Sequence, residues 1–94
     1  MRLELGQTVA TPGALALLER LDIAPAMLLL RHVSGDWGDL DEEDRALNDH
    51  AATATGDNRE RVLSAYKVDE PDVKIWVITE WDRSVTTLLL PSEY

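Results

Sequence analysis

The residues best equipped for chemistry fall in one stretch, Arg31-His32-Val33-Ser34-Gly35-Asp36-Trp37-Gly38-Asp39-Leu40. His32 stands at the end of an apolar segment that reads as a helix, where the C-terminal dipole favours the protonated imidazole. Trp37 sits in a short loop between two glycines. A side chain of that size either anchors its loop on the core or faces a partner. In the first case Trp37 plugs the core and His32 caps a helix. In the second the loop is a contact surface, because Trp is strongly enriched at binding hot spots. Acidic side chains surround Trp37, giving an aromatic anchor with a polar rim. On that pattern Asp36, Trp37, Asp39, Asp41 and Glu42 are expected to form a partner-binding surface.

The acidic run continues through Glu43 and Asp44, which suggests calcium, but the spacing fails. Counted from Asp39, the sixth position of an EF-hand loop is Asp44 where glycine is required, and the twelfth is His50 where glutamate is required. His32 and His50 lack a zinc spacing, and the chain has no H-E-x-x-H motif and no phosphate-cradling glycine loop. Ser34, Ser64 and Ser84 lack the context of a nucleophile elbow. No metal or other cofactor is expected, and no catalytic set can be assembled from spacing. Trp76 and Trp81 are an odd number of residues apart in a strand, so they face opposite sides and form no stacking platform for single-stranded nucleic acid.

Eighteen acidic residues against nine basic ones give a net charge of −9. Phosphate neutralisation by Lys and Arg drives nucleic-acid binding, so direct binding of nucleic acid is not expected. Such a charge serves solubility and suits a protein partner with a basic surface. With 45% hydrophobic and 29% charged residues, the 94-residue chain reads as one folded domain spanning 1–94. It has no cysteine, which excludes disulfides and thiolate metal sites and fits a cytoplasmic protein. The start, Met1 to Gly6, lacks a signal-peptide apolar run, and Ala24 to Leu30 is too short to span a bilayer.

The elements that must position these residues follow from periodicity. Leu3 to Ala10 alternates like a strand, weakened by Gly6. Thr11-Pro12 starts a helix running to Leu21. Pro25 to Val33 is apolar nearly all round and is expected to be the most buried helix, ended by Gly35. Asp39 is expected to cap a third helix, with Glu42 completing a capping box. Leu40, Leu47 and Ala51 mark its inward stripe, and Asp41, Arg45 and Asp49 can pair on its outward face. Thr53 to Asn58 reads as a polar loop. From Arg61 the period becomes two, giving strands at Arg61–Val68, Val73–Trp81 and Ser84–Leu90. Pairing Trp81 with Ser84 puts Ile75, Val77, Thr79, Thr86 and Leu88 on one face and Trp76, Ile78, Val85 and Leu89 on the other. The expected fold class is α+β, in the order β-α-α-α-β-β-β. It is a three-stranded antiparallel meander, open to the N-terminal strand, with helices on one face. Both hairpin faces are rich in apolar residues, so two copies are expected to pair through the sheet as a homodimer.

Two stretches carry a family resemblance. Leu5–Ala14 with Arg31–Leu40, and Ile78–Pro91, resemble a family of short bacterial proteins labelled plasmid-related, some misnamed as a restriction-methylase subunit. That resemblance covers nearly the whole chain, implies bacterial origin and association with mobile DNA, and implies no chemistry. A second, topological likeness is to the barnase–colicin–RelE class of small ribonucleases, which place helices before an antiparallel meander. It implies His32 as acid/base, an arginine such as Arg83, and Thr86 or Thr87 on the last strand. The acidity departs from that class. The expected function is therefore a non-enzymatic interaction protein of mobile elements, such as an inhibitor of a host defence nuclease, with a ribonuclease-like domain as the alternative.

Overall fold

The computed structural model of the chain describes residues 3–54 and 59–94. Residues 55–58 of the expected Thr53–Asn58 loop lie outside the described residues. The elements are β1 (Gln7–Ala10), α1 (Pro12–Arg20), α2 (Pro25–Val33), α3 (Glu42–Thr53), β2 (Val62–Asp69), β3 (Val73–Thr79) and β4 (Val85–Leu89), with a closing 3-10 turn at Pro91–Glu93. The class is α+β, as expected. The N-terminal strand completes a four-stranded sheet in the order β1-β4-β3-β2. The β2/β3 and β3/β4 pairs are antiparallel, whereas β1 runs parallel to β4, so the sheet is mixed.

Local chemistry sets the helix starts. Thr11 caps α1, its hydroxyl accepting from the Ala14 amide at 3.3 Å. The Glu93 carboxylate reaches the same end, accepting from Thr11 Oγ1 at 2.5 Å and the Gly13 amide at 3.1 Å. The hydrogen bond from Thr11 holds the Glu93 carboxyl below its usual range. α3 begins later than expected. Asp41 is its cap, not Asp39, and accepts from the Asp44 amide at 2.8 Å. Residues 37–39 are drawn away to the sheet, which moves the cap down the chain.

The hairpin register agrees with the expected one: Trp76 stands opposite Leu89 and Thr79 opposite Thr86. The strands end at Thr79 and Val85, short of Trp81 and Ser84, because Arg83 adopts φ 61° and turns the chain back. Residues 3–6 lie outside β1. Gly6, with φ +62°, sits so close to the Arg83 and Ser84 carbonyls that no Cβ fits. On the inner face Tyr66, Ile75, Val77 and Leu88 join Ala14, Leu17, Leu18 and Leu28 in the main core. A second apolar cluster joins Leu3, Trp37, Ala51 and Val62. The chain's own end lies over part of the outer face. Tyr94 meets Trp76 edge-on, with ring centroids 5.6 Å apart, and accepts from Arg61 at 2.6 Å.

Two helix expectations are corrected. α2 buries one stripe only, Leu28 and His32, and leaves Met27 and Leu30 exposed, because it lies on the sheet with solvent behind it. On α3, Leu47 is exposed and Asn48 turns inward instead. Asn48 faces the edge of β2, where its amide donates to the Leu63 carbonyl at 2.5 Å and accepts from the Leu63 amide at 3.2 Å. An unpaired strand edge demands such partners. Residues 37–39 supply the rest: the Ala65 amide donates to Trp37 O at 3.1 Å and the Asp39 amide donates to Ala65 O at 2.6 Å.

Gly38 makes that approach possible, with φ +77° and the Ala65 carbonyl where a Cβ would stand. Gly38→Ala should therefore lose about 1–3 kcal/mol to backbone strain, and more to the clash. For a domain this size each kcal/mol lowers the melting temperature by roughly 4–8 °C. Thermal denaturation checks this, and an unchanged melting temperature would contradict the close approach.

Candidate functional site

The most distinctive polar constellation is internal. His32 is 0% exposed, and each ring nitrogen has a partner. Nδ1 lies 2.6 Å from Ser64 Oγ on β2, and Nε2 lies 2.9 Å from Thr79 Oγ1 on β3. Thr79 Oγ1 is 2.7 Å from Thr86 Oγ1 on β4, and Thr86 Oγ1 donates to the Leu5 carbonyl at 2.8 Å. The sheet register explains the placement. Val62, Thr79 and Thr86 share one row across the inner face, and Ser64, Val77 and Leu88 share the next. The polar line thus crosses diagonally between the two apolar clusters.

The protons of this line can be assigned. Leu5 O can only accept, so Thr86 spends its proton there. Thr79 must then donate to Thr86, and so accepts from His32 Nε2–H. His32 Nδ1 is left to accept from the Ser64 hydroxyl. The chain runs in one direction and uses a neutral imidazole in the Nε2–H form. Burial lowers the His32 pKa to about 4, and the positive charge of Arg83 adds to the effect. The expectation that the helix dipole keeps His32 protonated is corrected: desolvation outweighs a helix-terminus effect of about 0.3–1 kcal/mol.

Arg83 is also enclosed. Its guanidinium donates to the carbonyls of Glu60 at 2.7 Å, Glu80 at 3.2 Å, Trp81 at 3.3 Å and Ala51 at 2.7 Å. The Ala51 carbonyl belongs to the last turn of α3, where the dipole is negative. Burial, then Arg59, lowers the Arg83 pKa. Of the four residues implied by the ribonuclease likeness, the fold links His32 to Thr86 through Thr79. Arg83 stands apart as a clamp on carbonyls, and Thr87 lies on the opposite face. An acid/base must touch its substrate. His32, sealed under α2, has no surface on which to do so.

The expectation that Trp37 projects from its loop is overturned. Trp37 is 4% exposed, packed in the second core cluster and edge-on to His32 at 5.6 Å. Its indole N–H donates to Asp49 on α3 at 2.8 Å. The ring turns inward because residues 37–39 pair with β2, directing it under α3. The acidic residues divide accordingly. Asp36 is bound by Arg31 at 2.6 Å, which holds its carboxyl below the usual range. Asp39 pairs with Lys74 at 3.1 Å, and Asp41 is spent as the cap of α3. Arg45 donates to the Gly38 and Leu40 carbonyls, so the expected pairing of Asp41, Arg45 and Asp49 is replaced by loop contacts. Arg31 also lies 4.4 Å over the Tyr66 ring, while the Tyr66 hydroxyl donates to Asp36 O at 2.6 Å. Burial pushes the Tyr66 pKa up to about 12. Glu42 and Glu43 remain on the exposed first turn of α3, and among the described residues no hydrogen bond or ion pair engages either carboxylate.

Ser64, Thr79, Asn48 and Asp49 were not among the expected site residues. The signal for Ser64, Thr79 and Thr86 was there: polar residues at period two inside an otherwise apolar face call for a buried partner. Among the described residues no group of three or more His, Asp or Glu converges as a metal site, and no helix is long and apolar enough to cross a membrane. The chain matches no protein-family model, no curated protein and no solved structure.

Two outcomes follow from this geometry. Trp37→Ala should destabilise by roughly 3–5 kcal/mol and unfold much of the population in a thermal or urea titration. A near-unchanged melting point would contradict a core role. For His32, the folded pKa of about 4 lies below the ordinary imidazole value of 6.5. A depressed histidine stabilises fully above the unfolded value, and this contribution is lost as pH falls from 6.5 towards 4. Nitrogen NMR shifts should report the neutral Nε2–H tautomer at pH 6. An imidazolium at that pH would refute the assigned wiring.

Proposed function

We propose that this chain is a non-enzymatic interaction protein that engages a partner with a basic surface. The contact region is the acidic start of α3. The observation that carries the reading is the division of carboxylates. Asp36 and Asp39 are matched by Arg31 and Lys74, while Glu42 and Glu43 face solvent together in a chain of net charge −9. Unmatched charge held on a helix start is available for steering and rim contacts. Trp37 contributes by fixing α3 to the sheet edge rather than by touching the partner. Asp36, Asp39 and Asp41 shape the loop beside it. With the family resemblance, a concrete form is an inhibitor that occupies the basic surface of a host defence nuclease, acting in the cytoplasm of a bacterium that carries the mobile element.

The test is affinity capture by the tagged protein from a lysate of its bacterial host, washed at low and at high salt, with the Glu42→Lys/Glu43→Lys double variant as comparison. The variant should lose a basic partner that the wild type retains at low salt and releases at high salt. Reversing two charges at a helix start costs roughly 0.3–1 kcal/mol each, so folding should survive. Equal capture by both proteins, or capture indifferent to salt, would sink the proposal.

A further inference from the structure

The two edges of the sheet are treated differently. The β2 edge is covered by Trp37–Asp39 and by the Asn48 amide. The β1 edge is open: β1 ends the strand order, and among the described residues no segment pairs beyond it. Natural sheets protect an open edge with charge, proline, a bulge or a very short strand, and of these β1, at four residues, has only its shortness. Here the edge reads Gln7-Thr8-Val9-Ala10, uncharged, in a chain that is 29% charged. Val9 is 39% exposed, and Leu15, one turn into α1, is exposed as well.

The register says which backbone groups are free. The Gln7 amide donates to Ser84 O at 3.0 Å and the Thr11 amide donates to Leu88 O at 2.9 Å. In a parallel pair alternate residues face the neighbour. Gln7, Val9 and Thr11 therefore face β4, and the amides and carbonyls of Thr8 and Ala10 point outward. This set is self-complementary. An antiparallel second β1, related by a two-fold axis through Val9, would join Thr8 to Ala10 of the other copy twice over. Four hydrogen bonds would form around a facing Val9 pair.

We infer that the chain forms a two-fold homodimer through the β1 edge, making one continuous eight-stranded sheet. The occupant is a second copy rather than an acidic or basic peptide because the edge carries no charge to select either. Charge placement favours the same answer. The acidic turn of α3 lies at the β2 end of the sheet, so this pairing holds the two acidic clusters at opposite ends of the dimer. Pairing through a sheet face, as the sequence led one to expect, meets Tyr94 lying over Trp76 on the outer face. A four-residue edge is small beside the ~1,200 Å² of specific interfaces, so the dimer should be weak and reversible.

Sedimentation over a concentration series tests this. The wild type should pass from 10.5 kDa towards twice that mass as concentration rises into the high micromolar range. Thr8→Pro removes one outward amide and none of the amides bonded to β4, so it should stay monomeric with unchanged circular dichroism. Should that variant fail to fold, Val9→Lys decides: it keeps every backbone bond and sets two cations face to face on the axis. A monomeric wild type throughout, or a folded variant that dimerises like the wild type, would overturn the inference.

Discussion

A buried imidazole needs a partner at each nitrogen, and that requirement fixes where α2 can sit. His32 is carried on the last turn of α2 and reaches Ser64 and Thr79 on adjacent strands. Sliding or rotating the helix would strand two ring nitrogens and the Ser64 hydroxyl away from water, at about 1–3 kcal/mol for each unsatisfied group. Apolar packing alone is less exacting, because leucines tolerate repacking. The polar line therefore selects one docking of helix on sheet, and the apolar clusters on either side supply most of the stabilisation.

The same rule recurs where the chain changes direction. Asn48 completes the backbone pairing of β2, Arg83 gathers four carbonyls from three segments, and Glu93 ties the chain's end to the start of α1. Each is a polar or charged side chain answering backbone groups that secondary structure leaves unpaired. In a small domain, with much surface for its volume, such closures confer a unique arrangement that a short core cannot.

That economy explains what could be read from the sequence. The β-strands and the hairpin register follow from period two, and Pro12 and Pro25 mark the helix starts. The parallel docking of β1 on β4 is a long-range event with no local signature. Trp37 is ambiguous in sequence because its direction depends on Gly38 pairing with Ala65, far along the chain. His32, Arg83 and Thr86 resemble catalytic residues because a buried hydrogen-bond network and an active site draw on the same side chains. Exposure separates the two, and exposure is not written in spacing. Leu47 and Asn48 exchange roles because an edge strand's need for an amide overrides helical periodicity.

Structure and proposed function accordingly occupy different places: a closed polar line within, and unmatched carboxylates on the α3 surface. The claim that the inner line is structural, with His32 and Thr79 as its joint, is tested most directly by a double-mutant cycle. Thr79→Val, His32→Leu and the double variant would be compared by urea denaturation. Removing one partner leaves the other unsatisfied, whereas removing both does not. A coupling of about 1–3 kcal/mol is expected, the double variant being less unstable than the sum of the singles. Additivity within about 0.5 kcal/mol would contradict it.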